Sequence, residues 1–195
     1  MTDQQLAELG IDAKWLEPFN AAFEKYDISK PKRQAAFIGQ CSVESNNFKT
    51  LEENLNYSAE GLMRTWPSRF PDMDTAEKYA HNPEKIANKV YAGRMGNTEE
   101  GDGWAYHGRG LIQLTGRDNY RNCGDALGLA LITNPELLAM PKGAALSAGW
   151  FWNKHGLNEL ADAKDFETMT KRINGGTLGL DDRIAKINKA LEVLG

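Results

Sequence analysis

Hydrophobic residues along the chain recur mainly at intervals of three and four, which is the spacing of helices that bury one face. Trp15, Phe19, Ala22, Phe23 and Tyr26 show this spacing clearly. Residues that cap helices precede most of the periodic segments, and Gly or Pro follows several of them. The predicted caps are Thr2 or Asp3, Asp12, Ser29, Ser58, Asp74, Asn82, Thr115 with Asp118, Asn134, Asp165 and Asp181.

Two stretches depart from this pattern. Residues 144–154 are apolar on more than one side, which predicts a central buried helix. Residues 106–115, Tyr-His-Gly-Arg-Gly-Leu-Ile-Gln-Leu-Thr, form the one clear extended stretch and are predicted to be half of a small sheet. The pattern therefore predicts a mainly α single domain with a minor β element, and its 195 residues leave room for two lobes.

A carboxylate lies inside one of the predicted apolar stripes. On a continuous helix, Phe37, Cys41, Glu44 and Phe48 fall within an arc of about 60°. An isolated charge there is costly, so we expect Glu44 to find a partner or to hold its proton. Glu53 follows nine positions later in a polar loop, and two carboxylates in unlike environments can divide acid and base roles. The alternative is that Glu44 only caps a helix or forms a salt bridge and that Glu53 is solvated.

Composition and charge narrow the function classes. A formal net charge of -4 argues against nucleic-acid binding and gives no general attraction to an anionic polymer, so local contacts must bind any anionic substrate. The first residues lack a secretory signal, and no apolar run approaches a membrane span. We therefore expect synthesis in the cytoplasm and no membrane insertion. We also expect Cys41 and Cys123 to be free thiols.

Other catalytic chemistries are less well supported. His81, His107 and His155 lack the spacing of a zinc hydrolase, and we predict neither a metal nor a cofactor. Cys41 with His107 is an alternative thiol hydrolase pair, but Cys41 lies inside its predicted helix, where a buried structural cysteine is favoured. Residues 108–110, Gly-Arg-Gly, lack the context of a phosphate loop.

Four segments resemble motifs of one known family. Residues 37–45, Phe-Ile-Gly-Gln-Cys-Ser-Val-Glu-Ser, resemble the Gln-x-x-His-Glu-Ser/Thr segment of glycoside hydrolase family 19, which comprises plant-type chitinases and a branch of phage endolysins. Residues 106–115 resemble its Tyr-Tyr-Gly-Arg-Gly-Pro-Ile-Gln-Leu-Ser signature. Ile173-Asn174-Gly175-Gly176 and Asp182-Arg183 resemble its two later motifs. The motifs occur in family order and span about residues 35–185.

The endolysin branch is the more similar of the two. Residues 51–58, 94–97 and 101–104 resemble that branch, whereas plant chitinases place the second Glu much further along and carry several disulfides. The resemblance implies a two-lobed, lysozyme-like helical domain with a small β element near the cleft. It also implies that residues 1–195 form one catalytic domain without a separate wall-binding domain.

The resemblance further implies a role for each matching residue. Glu44 corresponds to the general acid and Glu53 to the general base that activates the attacking water. Thr115, where chitinases have Ser, would help to hold that water, and Gln113 and Asn174 would bind the sugar near the scissile bond.

Four further residues receive less specific roles from the same resemblance. Arg109 and Arg183 would orient carboxylates or brace the cleft. Tyr57 and Trp104 would either contact sugar rings or pack in the core.

The implied mechanism is inverting, with the carboxyl groups about 6.5–9.5 Å apart rather than the roughly 5–5.5 Å of a retaining enzyme. Two positions depart from the family pattern: Val43 replaces the usual His, and His107 replaces the second Tyr. Val43 makes the surroundings of Glu44 more apolar, which is expected to favour its protonated form.

We therefore predict a monomeric phage or prophage endolysin that hydrolyses β-1,4 bonds in the glycan strands of peptidoglycan, and that reaches the wall through a holin-type pore. The first alternative is a chitinase, since chitin and peptidoglycan share a β-1,4 N-acetylhexosamine backbone. The second alternative is a glycan-binding protein without catalysis. The presence of both Glu44 and Glu53 disfavours that alternative, because binding alone needs no acid and base.

Overall fold

Helices account for most of the chain in the computed structural model, which describes residues 1–195 and confirms the mainly α prediction. The α-helices are α1 Asp3–Glu8, α2 Leu16–Lys25, α3 Pro31–Glu44, α4 Ala59–Thr65, α5 Met73–Glu77, α6 Pro83–Val90, α7 Asp102–Ala105, α8 Arg117–Leu127, α9 Pro141–Lys154, α10 Leu157–Asp162, α11 Phe166–Asn174 and α12 Leu180–Leu194. Two 3-10 helices, Ala13–Trp15 and Pro135–Ala139, complete the set. None of the helices combines the length and apolarity that a membrane span requires.

Several predicted caps are confirmed by their hydrogen bonds. Thr2, Asp12, Ser58, Asn82 and Asp165 each accept the amide N–H of a residue in the helical turn that follows. At Thr2 the bond is reciprocal, because the Gln5 side chain also accepts the Thr2 amide. These bonds satisfy amides that the first turn of a helix leaves without a partner.

Other predicted caps are wrong: Ser29, Asp74, Thr115 with Asp118, and Asp181. Ser29 donates its hydroxyl to the Asp27 carboxylate, 2.7 Å away, instead of accepting from α3. Asp72 caps α5. Gly116 and Gly179, both with positive φ, precede α8 and α12, and this backbone conformation is one that glycine adopts without steric cost.

The extended stretch at residues 106–115 is reduced to two isolated antiparallel bridges. Arg109 pairs with Glu52 on one side and with Leu114 on the other. Residues 110–113 form a turn, which begins at Gly110 with a φ of 105°. The small sheet expected from the sequence is therefore absent, because this turn interrupts the pairing after a single residue.

The chain divides into two compact units. The first contains residues 1–51, 110–113 and 136–195, and the second contains residues 52–109 and 114–135. In the first unit α9 packs against α2, and Ala144, Ala145, Ala148 and Trp152 of α9 are fully buried, which confirms the central helix. Aromatic rings 5.3–6.2 Å apart fill the space around it; they belong to Trp15, Phe19, Phe23, Phe37, Phe48 and Trp152.

The turn that follows α3 fixes where the helix ends. Asn46, Asn47 and Phe48 are all left-handed, with φ of 49–64°, so the helix stops at Glu44 and Phe48 does not belong to the predicted stripe. Ser45 stabilises the turn, because its hydroxyl donates to the Cys41 carbonyl and accepts the Phe48 amide. The Phe48 ring is buried against the aromatic core, which offsets the backbone strain.

The second unit has its own hydrophobic core. The buried members come from the loop after Glu53, from α4, α5 and α6, and from the segment between α4 and α5; they are Leu55, Ala59, Leu62, Phe70, Ala76, Ile86, Ala87 and Val90. Gly103 lets α7 approach α6 closely, because a Cβ there would lie 2.4 Å from the Ala87 carbonyl oxygen. Tyr91 and Trp104 pack against the edge of this core.

Helices α3 and α12 pack against each other at a glycine. A Cβ on Gly39 would lie 2.4 Å from Ile187 Cγ1 and 2.8 Å from the Ile187 amide nitrogen. Backbone cannot move aside as a flexible side chain can, so only glycine permits this approach. The contact lies five residues before Glu44 on α3 and four residues after Arg183 on α12.

We predict that Gly39→Ala destabilises the protein by about 1–3 kcal/mol, although alanine is favoured over glycine in a helix by up to about 1 kcal/mol. Urea unfolding measures the change. The matched control is Gly176→Ala, where the nearest heavy atom lies 3.9 Å from the added Cβ, and the expected change is within about 0.5 kcal/mol. Equal stability of Gly39→Ala and the wild type would contradict the close-packing interpretation.

Candidate active site

Glu44 is the last residue of α3, and its carboxylate is bound to a buried arginine. Glu44 Oε1 accepts from Arg183 Nη2 at 2.6 Å, and about one fifth of the Glu44 side chain is exposed, at 21%. Of the two expectations for this carboxylate, a partner or a retained proton, the structure shows the partner, and this salt bridge is also what the alternative interpretation predicts for Glu44. The partial exposure also gives Glu44 contact with solvent.

Arg183 is almost fully buried and binds several acceptors at once. Its Nη1 donates to Gln40 Oε1 at 2.7 Å, and its Nε donates to the Leu178 carbonyl at 3.0 Å. Gln40 in turn donates to the Thr170 hydroxyl at 3.0 Å, so the network continues from α3 and α12 to α11. A planar guanidinium serves several acceptors in fixed directions, and the Glu44 carboxylate is therefore held in one orientation.

Glu53 lies in the second unit, and each of its oxygens accepts a hydrogen bond. The Tyr91 hydroxyl donates to Oε1 at 2.7 Å, and the Gly108 amide donates to Oε2 at 2.6 Å. Burial and the bond to Glu53 raise the pKa of the Tyr91 phenol well above its usual range, so Tyr91 remains a donor. Glu53 is therefore not the freely solvated carboxylate of the alternative interpretation.

Arg109 fixes the loop that presents the Gly108 amide. Its guanidinium donates to Glu52 Oε1 at 2.8 Å, to the Ala105 carbonyl at 2.8 Å and to the Tyr120 hydroxyl at 3.1 Å. The carboxylate that Arg109 contacts is thus Glu52, the neighbour of Glu53. In addition, the Glu53 amide donates to the Gly108 carbonyl at 2.9 Å. Backbone and side chain of Glu53 are therefore attached to the same loop residue.

His107 is a neutral, buried residue of the same loop. Burial is the main cause that lowers the pKa of its imidazole. Nδ1 faces the Trp104 carbonyl, so Nδ1 carries the proton, and the ring stacks on Trp104 with centroids 4.3 Å apart. The 3.7 Å approach of Nε2 to Glu52 is consequently not an ion pair.

The structure also places the other predicted substrate residues. Thr115 is half-buried and follows the Arg109–Leu114 bridge in the second unit, where its carbonyl accepts from Asn119. Gln113 is exposed in the turn of residues 110–113, which belongs to the first unit. Asn174 is exposed at the last position of α11. Exposure leaves both amide side chains accessible to a ligand.

The two predicted aromatic contacts both take part in packing. Tyr57 is half-buried, and its ring meets Trp66 edge-on with centroids 4.9 Å apart. Trp104 is half-buried between His107 and the core of the second unit. Part of each ring is exposed, so a contact of Tyr57 or Trp104 with a sugar stays a proposal.

The thiol alternative does not fit the surroundings of Cys41. Its side chain is fully buried, and burial, with a smaller effect from Glu44, raises the pKa of the thiol well above its usual range. A buried protonated thiol is a poor nucleophile. Cys41 and Cys123 are both free, as predicted. No group of three or more His, Cys, Asp or Glu side chains is arranged to hold a metal ion.

Sequence reasoning expected Arg183 to orient a carboxylate, and Arg183 does hold Glu44, but the residues that bind Glu53 from a distance were missed. Tyr91 and Gly108 lie 38 and 55 positions from Glu53. Gln40 had a local signal, because it precedes Glu44 by one helical turn and lies within the motif. Tyr91 had no local signal in the sequence other than its place at the end of a predicted helix.

Comparisons with known proteins identify the family of the chain. Residues 13–163 match the glycoside hydrolase family described as chitinase class I. A glycosyl hydrolase family 19 domain-containing protein of Haemophilus influenzae is 44% identical over 180 residues, which cover 91% of this chain and 87% of that protein. An endochitinase of Arabidopsis thaliana is 39% identical over 94 residues, covering 48% of this chain and 33% of that protein.

The fold is also similar to a solved structure. Chitinase C from Streptomyces griseus HUT6037 superposes with a TM-score of 0.67 at 20% identity, covering 100% of this chain and 92% of that chain. The family match identifies the protein as a glycoside hydrolase, and the similar structure shows a lysozyme-like, mainly α fold. More narrowly, the chain belongs to glycoside hydrolase family 19.

We predict that Tyr91→Phe lowers kcat by about 10- to 100-fold with little change in KM, because a hydrogen bond to a charged group contributes about 1.5–3 kcal/mol. Steady-state hydrolysis measures the effect. The matched control is Tyr79→Phe, since Tyr79 packs on Phe70 in the same unit. If Tyr91→Phe and Tyr79→Phe are equally active, Tyr91 does not position the Glu53 carboxylate.

Proposed function

We propose that the protein hydrolyses β-1,4 glycosidic bonds in the glycan strands of peptidoglycan, with Glu44 as general acid and Glu53 as general base. The observation that carries the proposal is the contrast between the two carboxylates. Glu44 is held by the cation Arg183, whereas Glu53 accepts two hydrogen bonds from neutral donors, Tyr91 and Gly108. Carboxylates in unlike surroundings can divide the acid and base roles, and the resemblance of residues 37–45 to the family motif assigns the acid role to Glu44.

In the proposed reaction Glu44 gives its proton to the leaving glycosidic oxygen while the bond to the anomeric carbon breaks. Glu53 takes a proton from a water molecule, whose oxygen attacks the anomeric carbon from the opposite face. Thr115 is proposed to hold this water, and Gln113 and Asn174 are proposed to bind the sugar. The partial exposure of Glu44 allows its proton to be replaced from solvent after each turnover.

Peptidoglycan is proposed ahead of chitin because residues 51–58, 94–97 and 101–104 resemble the endolysin branch of the family. We also propose that the protein acts as a monomeric endolysin and reaches the cell wall through a holin-type pore. Chitin hydrolysis is the second candidate, because several similar proteins and structures are described as chitinases.

Replacing either carboxyl group with an amide tests the catalytic assignment. Glu44→Gln and Glu53→Gln are each expected to lower kcat by about 10²–10⁴, because general acid or base catalysis is lost with almost no change in volume. Lysis of purified walls and release of reducing ends measure the rates. The matched control is Glu60→Gln, an exposed carboxylate in the first turn of α4, for which we expect the wild-type rate. Wild-type lysis by Glu44→Gln would refute the acid assignment, and a mild effect of Glu53→Gln would move the base to another group such as Glu52.

The substrate is tested separately. We expect the wild type to release fragments from purified peptidoglycan whose new reducing ends, identified by mass spectrometry, are N-acetylmuramic acid. Fragments ending in N-acetylglucosamine would instead identify a glucosaminidase. Faster release of sugar from colloidal chitin than from peptidoglycan would favour the chitinase candidate.

A further inference from the structure

The first unit contains a pocket that the proposed reaction does not use. The pocket has a volume of about 400 Å³ and lies where the loop after α1, the later half of α3 with the turn that follows it, and the middle of α12 meet. Ser42 lines it, and Ser42 precedes Glu44 by two residues on α3. Two residues correspond to about 200° around a helix, so the pocket and the catalytic carboxylate lie on opposite sides of α3.

The charge of this pocket is opposite to that of the whole protein. Lys49, Lys186 and Lys189 line it, and no Asp or Glu is among the lining residues, although the chain as a whole carries a net charge of -4. The nearest acidic contact is Asp182, whose exposed carboxylate approaches Lys186 at 3.9 Å. Three ammonium groups around one concavity concentrate a positive potential that attracts an anion.

The floor of the pocket is apolar. Leu9, Ile11, Ile38 and Phe48 contribute to the lining, and Ile38 and Phe48 are buried. An apolar floor with a cationic rim suits a ligand that has both an alkyl portion and an anionic group. A small inorganic anion would leave the apolar part of the pocket unused.

The pocket is built on rigid elements. Asn47 Oδ1 accepts from Lys186 Nζ at 2.7 Å and from the Ser42 hydroxyl at 2.8 Å, so one lysine is fixed in place. Asn47 and Phe48 hold left-handed backbone conformations, and Gly39 lies against Ile187 beneath the pocket. Strained backbone that persists next to a concavity is a feature of binding sites.

We propose that this pocket binds a carboxylate of the peptide stems that peptidoglycan carries and chitin lacks. The inference rests on the proposed function, because it takes peptidoglycan as the substrate class. Amino-acid side chains such as alanine methyl groups lie against the apolar floor, and the stem carboxylate pairs with the lysines. Since chitin is a neutral polymer, this contact discriminates between the two β-1,4 glycans by charge.

The direct test is a titration of the isotopically labelled protein with muramyl dipeptide, followed by the amide resonances of the chain. We expect shifts at residues 9–11 and 47–49, and we expect no shifts there with the same compound after its one free carboxyl group is amidated. Shifts confined to other parts of the chain, or equal shifts with the amidated compound, would overturn the proposal. This readout needs no catalytic turnover.

Charge-matched variants provide the second test. Lys49→Gln with Lys189→Gln removes two pocket charges and is expected to weaken muramyl dipeptide binding about tenfold, as two exposed ion pairs allow. Lys14→Gln with Lys25→Gln removes the same net charge from lysines outside the pocket and is expected to leave the affinity unchanged. Equal affinities of the two double variants would contradict the assignment.

Hydrolysis distinguishes a failure of this inference from a failure of the proposed function. The variant with Lys49→Gln and Lys189→Gln is expected to hydrolyse a neutral chitin oligomer at the same rate as the control with Lys14→Gln and Lys25→Gln. Slower hydrolysis of this oligomer by the pocket variant alone would overturn the pocket assignment. If the wild type binds muramyl dipeptide at residues 9–11 and 47–49 but does not hydrolyse peptidoglycan, the pocket assignment stands and the proposed function fails. If the wild type hydrolyses peptidoglycan but shows no shifts at residues 9–11 and 47–49, the proposed function stands and the pocket assignment fails.

Discussion

The buried guanidinium of Arg183 is the charge on which the first unit depends. A cation that is only 2% exposed requires acceptors, and the structure supplies Gln40, Glu44 and the Leu178 carbonyl. Two of these acceptors lie on α3, so their bonds to Arg183 hold α12 to that helix. The glycine contact at Gly39 permits the close approach that these bonds require. Electrostatics and packing thus fix the Glu44 carboxylate together.

In the second unit, neutral hydrogen-bond donors hold the Glu53 carboxylate. Glu53 follows a short backbone bridge, and its oxygens bind the Tyr91 hydroxyl and the Gly108 amide. Arg109 is nearby, but it binds Glu52 and the carbonyl of Ala105, which secures the loop that contains Gly108. The arginine of the signature motif therefore acts on Glu53 indirectly, through the position of an amide.

Local patterns in the sequence predicted the structural features that depend on residues close to one another along the chain. Helix positions and the caps at Ser58 and Asp165 follow from residues within one turn, and the structure confirms them. The assignment of Phe48 to the helical stripe was wrong, because periodicity does not reveal that a left-handed turn ends α3 at Glu44. The partners Tyr91 and Gly108 are distant in sequence, and only the folded backbone brings them to Glu53. The family motifs indicated the carboxylates and an orienting role for Arg183, but not the donors that hold Glu53.

The central claim is that one carboxyl group acts as acid while the other activates a water that attacks directly. Proton NMR of the first products, recorded before the new reducing end equilibrates, tests this claim most directly on a soluble β-1,4 glycan that the enzyme cleaves. Direct attack by water inverts the anomeric carbon, so the account predicts that the α-anomer appears first. Initial formation of the β-anomer would indicate a retained configuration and would contradict the roles of Glu44 and Glu53.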